Sequence, residues 1–183
     1  DSIDQAAARA FGILISVCYA GLPWLVVWNL YKMGDHAKYV LLVMAVTWMG
    51  DTGGYFGGRF LGGKIFGERK LAPTISPKKT WEGAVCGLIL STLSGVVLNI
   101  VYRDAFGAGT IASVPVLVTA GFFGGIFEQI GDLLESLFKR FARVKDSGSI
   151  IPGHGGLLDR VDGVLFAAPV IWAVIYFGGI FGL

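Results

Sequence analysis

Long apolar runs alternate with short polar connections along this chain, and the runs have the length that crosses a hydrocarbon core. About 20 consecutive, mainly apolar residues suffice for a spanning helix. Five stretches qualify: Phe11 to Tyr31, Tyr39 to Phe60, Gly83 to Tyr102, Ile111 to Phe138 and Val161 to Leu183. The pattern predicts an all-α fold, a polytopic bundle of about five transmembrane helices joined by polar loops. No internal repeat or low-complexity tract interrupts it, and no connection is large enough to bury a core of its own. Residues 1–183 are therefore expected to form one membrane-embedded domain.

Composition agrees, with 54% hydrophobic and only 15% charged residues. Cys18 and Cys86 lie in different apolar runs without metal-ligand spacing, so both read as packing residues. The chain begins at Asp1 with nothing resembling a cleavable signal, and further residues are expected upstream.

The formal net charge of +2 matters less than where the charges fall. Arg59, Lys64, Arg69, Lys70, Lys78 and Lys79 cluster around the second-to-third connection, and Lys139, Arg140, Arg143, Lys145 and Arg160 around the fourth-to-fifth. Only Lys32, Lys38 and Arg103 fall at the opposite loops. Cytoplasmic loops carry the excess of Lys and Arg, so both basic connections are expected to face the cytoplasm.

The fourth run holds the sharpest local pattern. Glu128, Asp132, Glu135, Ser136 and Lys139 follow one another at spacings that stack them on one helical face. Glu135 with Lys139 is an ordinary i, i+4 ion pair, and Lys139 can snorkel to the interface. Neither explains Asp132. A charge at mid-bilayer depth costs roughly 2.5 to 3.5 kcal/mol on insertion scales, so an intramembrane acid is a functional candidate that needs a cation, a proton or water.

Beyond the basic loop, GHGGLLDRVDG supplies Asp159 and Asp162 on one side of a helix start. Acids there also serve as plain helix-dipole partners. Together with Asp132 they make an oxygen donor set suited to Mg²⁺, which commonly shares one or two carboxylates with substrate phosphates. His154 has no second His or Cys nearby and reads as a loop-shaping or nucleotide-contacting residue.

Two further elements precede these. In GDTGGYFGGRFLGG, Asp51 sits among glycines where a broken helix is expected, either lining a cavity or capping a restarted half-helix. TISPKKTWEG presents Ser76, Lys78, Lys79 and Thr80 behind a proline-shaped turn. That turn suits phosphate binding, although lysines at a membrane surface also hold anionic headgroups. Glycines four apart, such as Gly50 with Gly54 and Gly121 with Gly125, permit close helix approach within the chain or across a homodimer seam. Basic groups converging on acids that a metal reconciles point to an anionic substrate and to phosphoryl or nucleotidyl transfer.

The run SLFKRFARVKDSGSIIPGHGGLLDRVD, from Ser136 to Asp162, resembles the hallmark segment of the phosphatidate cytidylyltransferase family, the CDP-diacylglycerol synthases. SPKKTWEG, GDLLES and DTGGYFGGR resemble it too, so the likeness covers Asp51 to Gly163. Gly54 stands where the family is expected to carry alanine, and family members usually have additional upstream helices.

The resemblance implies transfer of CMP from CTP to phosphatidic acid, giving CDP-diacylglycerol and pyrophosphate. It implies Mg²⁺ on Asp132, Ser136, Asp159 and Asp162, with room for a second cation. Asp132, Asp159, Asp162, Lys145 and Arg160 would carry the chemistry. Asp51, Ser76, Lys78, Lys79, Thr80, Lys139, Arg140, His154, Gly155 and Gly156 would bind substrate. The implied partners are CTP, phosphatidic acid and membrane lipids, with no nucleic acid, in a bacterial inner membrane with the site facing the cytoplasm. Two rivals share parts of this pattern. A CTP-dependent lipid kinase would release CDP, and an ion or phosphate transporter would need acids along a path across the membrane.

Overall fold

A computed structural model describes residues 2–33, 37–106, 109–148, 156 and 158–181. Each predicted apolar run is a helix: α1 (Ile3–Met33), α2 (Lys38–Leu61), α3 (Trp81–Phe106), α4 (Val114–Phe141) and α5 (Leu158–Phe181). Between α2 and α3 lies an antiparallel hairpin of β1 (Lys70–Ala72) and β2 (Ser76–Thr80), in which Lys70 faces Thr80 and Ala72 faces Ser76. The SPKKT segment, expected as a turn, is thus a strand, and the chain reverses just before it at residues 73–75. Pro77 falls inside this short two-stranded ribbon, where both strands are edges and a missing N–H is tolerated.

Two expectations change. Among the described residues four helices, α1, α3, α4 and α5, are long and apolar enough to cross a membrane, where five were expected. The second run has the length, but Asp51, Arg59 and its glycines dilute its hydropathy. Nor is α2 broken at Asp51, since it runs unbroken from Lys38 to Leu61. Its glycines serve close approach rather than a kink.

Gly50, Gly53 and Gly57 are buried against α3. A Cβ added at Gly53 would lie 2.7 Å from the Cys86 carbonyl oxygen, and one at Gly87 2.9 Å from the Gly50 carbonyl oxygen. The α3–α4 seam repeats the device, with Gly121 and Gly125 closing on Ser91. Ser91, fully buried, donates its hydroxyl to the Val46 carbonyl at 2.9 Å and ties α3 to α2. Small residues let van der Waals contact and such bonds hold helices together where lipid supplies no hydrophobic drive.

The apolar core lies farther along the bundle, where Leu42, Val43 and Val46 meet Leu117, Ala120, Ala168 and Ile171. On α1 only Leu30 is fully buried, and Phe11, Ile13, Leu14, Trp24 and Leu25 face outward. Such an apolar surface suits hydrocarbon rather than water. At the hairpin end, α4 stops with Arg143 in the left-handed region (φ 57°), and the Val144 N–H closes onto the Lys139 carbonyl at 2.9 Å. Arg140 then reaches the hairpin, donating its Nε–H to the Ile75 carbonyl at 3.3 Å.

Candidate active site at the hairpin end of the bundle

A cavity of about 490 Å³ opens between α2, α3, α4 and the hairpin. One face of α2 contributes Asp51, Tyr55 and Arg59, spaced four apart, and Arg59 donates to the Tyr55 hydroxyl at 2.7 Å. The hairpin contributes Lys78, Lys79 and Thr80, and α4 contributes Glu128, Gln129 and Asp132. Lys79 forms an ion pair with Asp132, joining β2 to α4 across the cavity. Both side chains keep about a quarter of their surface exposed, 25% and 29%, so substrate could reach either.

Deeper in the wall Glu128 is only 3% exposed, and its Oε2 has no hydrogen-bond partner. The Asp51 carboxylate lines the same cavity and lies within electrostatic range of it. Two adjoining carboxylates cannot both stay ionised without a proton or a cation between them. Gln129 is anchored instead, its Nε2 donating to the Ala84 carbonyl at 3.0 Å.

Thr80 performs a second task that its position at the strand end dictates. It precedes α3, and its Oγ1 accepts the Gly83 N–H at 3.1 Å, an N-cap in the usual register. Ser76 lies on β2 opposite Ala72 and does not line the cavity.

A second charged group sits where α4 meets the start of α5. Lys139 pairs with Glu135 on its own helix and with Asp159 Oδ1 at 2.7 Å. Asp159 Oδ2 accepts the Ser147 N–H at 2.9 Å, the Ser147 hydroxyl at 2.8 Å and the Gly156 N–H at 2.7 Å. One carboxylate thereby ties Ser147 and Gly156 to the first turn of α5. Asp162 accepts the N–H of Gly163 at 2.8 Å and lies within electrostatic range of Asp132.

Of the residues singled out in the sequence, the cavity gathers Asp51, Lys78, Lys79, Thr80 and Asp132. Lys139, Asp159 and Gly156 belong to the second group. Ser136 is half-buried on α4, Lys145 is exposed in the loop after it, and Arg160 is exposed in the first turn of α5. His154 and Gly155 lie outside the described residues. Arg59, Glu128 and Gln129 escaped the sequence reading as site residues. The signal was present, since Arg59 lies two helical steps of four from Asp51, and Glu128 one such step from Asp132.

The donor chemistry accommodates a hard divalent cation. Around the cavity Arg59, Lys78 and Lys79 stand beside Asp51, Glu128 and Asp132. Among the described residues no three His, Cys, Asp or Glu side chains are gathered so as to hold a metal ion by themselves. An incomplete oxygen set beside a basic wall matches the habit of Mg²⁺, which completes its shell with water and substrate phosphates.

A model of the cytidylyltransferase family matches residues 4–177. Proteins named phosphatidate cytidylyltransferase from Staphylococcus saprophyticus, Staphylococcus haemolyticus and Staphylococcus aureus (strain COL) are 39%, 40% and 40% identical to it over 158 residues. The match takes in 86% of this chain and 56% of each relative, so the chain spans little more than half their length. With a family match over nearly its whole length, this chain belongs to the cytidylyltransferase family.

Proposed function

We propose that this chain carries the catalytic part of an integral-membrane nucleotidyltransferase that moves CMP from CTP to phosphatidic acid, forming CDP-diacylglycerol and releasing pyrophosphate. The observation that carries the reading is the Lys79–Asp132 pair. It brings a phosphate-binding strand and an intramembrane acid to one cavity, in a chain of the cytidylyltransferase family. The names of its relatives supply the lipid substrate class.

The chemistry asks little of a base. A phosphomonoester carries about 1.5 to 2 negative charges near neutral pH, so the lipid phosphate is already a nucleophile. Its oxygen attacks the α-phosphorus of CTP, a new phosphorus–oxygen bond forms, and the bond to the β-phosphate breaks with pyrophosphate as the leaving group. What the site must supply is alignment and positive charge on reactants that repel each other.

Lys78 and Lys79, with Arg59 beside them, would hold the triphosphate and receive the leaving pyrophosphate. Lys145, Arg160, His154, Gly155 and Gly156 would add further contacts. Asp132, Ser136, Asp159 and Asp162 would hold Mg²⁺, which neutralises phosphate charge when bound. Because both oxygens of Asp159 are engaged, its share in metal binding requires loosening the Lys139 contact. The outward apolar faces of the helices would admit the acyl chains from the side. The excess of Lys and Arg in both connections supports a site on the cytoplasmic face, in what we take to be a bacterial inner membrane.

Labelled CTP supplies the test, with this chain reconstituted in nanodiscs containing phosphatidic acid. Asp132→Asn is expected to abolish CDP-lipid formation while the protein still inserts and melts cooperatively. Lys78→Ala with Lys79→Ala is expected to raise the KM for CTP more than that for lipid. Near-normal turnover in Asp132→Asn would sink the assignment, and release of CDP in place of pyrophosphate would make the enzyme a lipid kinase.

A further inference from the structure

Glu82 is the second residue of α3, yet it is only 1% exposed and belongs to no ion pair among the described residues. Its Oε1 accepts the backbone N–H groups of Gly63 at 3.0 Å, Ile65 at 3.3 Å and Phe66 at 2.9 Å. Those three amides belong to the connection that leaves α2 immediately after Arg59 and Leu61. The connection curls around the carboxylate, with Gly63 at φ 80° and Gly67 at φ 71°, in the left-handed region that glycine enters without strain. A concave set of backbone N–H groups is an anion-binding device, and here the protein's own side chain occupies it.

What the clamp joins gives it a function. Arg59 lies on one of its sides, in the last turn of α2. On the other side, Lys78 and Lys79 lie four and three residues before Glu82 on the strand that runs directly into α3. The basic wall of the cavity therefore comes from two chain segments, and Glu82 ties the connection after one of them to the helix that follows the other.

We propose that Glu82 is a positioning residue for the triphosphate wall, holding Arg59 at a set distance from Lys78 and Lys79. The inference rests on the functional reading above and deepens it by assigning the spacing of the cationic groups to a carboxylate that does not line the cavity. A wall fixed before binding costs the nucleotide less ordering than one assembled around it.

The test measures CTP binding and steady-state kinetics for this chain in nanodiscs, as wild type, Glu82→Ala and Glu82→Gln. Glutamine keeps an acceptor oxygen for the three amides, whereas alanine keeps none. Glu82→Ala is expected to weaken CTP binding about tenfold, the scale of a modest misplacement of binding groups. The KM for lipid should stay unchanged, and Glu82→Gln should recover most of the loss. Gly63→Ala, which strains the connection from its other side, should shift CTP binding in the same direction and keeps the test open should Glu82→Ala fail to fold. Equal loss toward both substrates, or unaltered CTP affinity in Glu82→Ala and in Gly63→Ala, overturns the positioning role. Failure of the wild type to bind CTP at all would instead count against the functional reading.

Discussion

Asp159 accepts contacts from Lys139, Ser147 and Gly156 through two oxygens, so its surroundings are made almost wholly of donors. Asn at this position turns one of those oxygens into a donor facing donors and removes the charge that Lys139 balances. Hydrogen bonds to a charged group are worth about 1.5 to 3 kcal/mol each. Asp159→Asn is therefore expected to free the loop and speed tryptic cleavage at Lys145, read by a time course on the folded protein in nanodiscs. Cleavage at the wild-type rate would show that the loop does not depend on this carboxylate. The sequence marks Asp159 as an acid at a helix start, which fits a dipole partner or a metal ligand equally. Its contacts with Ser147 and Lys139 were not legible, because these become its neighbours only when the chain folds back from α4 into α5.

At the scale of elements, the α2–α3 contact depends on missing side chains. Leu at Gly53 would drive its Cβ to within 2.7 Å of the Cys86 carbonyl oxygen. Overpacking of this kind typically costs about 1 to 3 kcal/mol. Leu at Gly12, on the outward face of α1 with nothing within 4 Å, should stay within about 0.5 kcal/mol of wild type. Thermal unfolding in detergent compares the two, and equal melting temperatures would dissolve the seam argument. Glycine spacing alone announces a close-packed helix face. The missing side chains that matter on α2 are those of Gly50, Gly53 and Gly57, since a Cβ at Gly54 would keep 3.9 Å from the nearest atom of α3; the Gly54 backbone is approached by Gly83, whose own Cβ would come within 2.8 Å of the Gly54 carbonyl oxygen. The hairpin escaped the sequence reading because Pro77 and the lysines resemble a turn, and strand pairing needs a partner that only Lys70–Ala72 supplies.

For the whole molecule, α3 separates the hairpin side from the α3–α4 connection, so the two lie at opposite ends of one helix. Cysteines placed at Lys64, Lys145 and Thr110, with Cys18 and Cys86 replaced by Ala, give a direct readout of orientation. In intact cells a membrane-impermeant maleimide should modify the Thr110 site and spare the other two until the membrane is opened. Labelling of the Lys64 and Lys145 sites from outside would reverse the orientation and move the cavity to the opposite face.

The sequence by itself determined the helical bundle and the chemical character of its polar end. A helix satisfies its own backbone hydrogen bonds, so apolar length is enough to predict one in lipid, and an acid within such a run declares itself by its cost. Only the tertiary structure decided that α2 runs unbroken through Asp51, that Lys79 meets Asp132, that Glu128 adjoins Asp51, and that Glu82 holds the connection after α2. Those pairings join residues remote along the chain. They depend on how closely glycine faces let the helices approach, a distance that no single segment encodes.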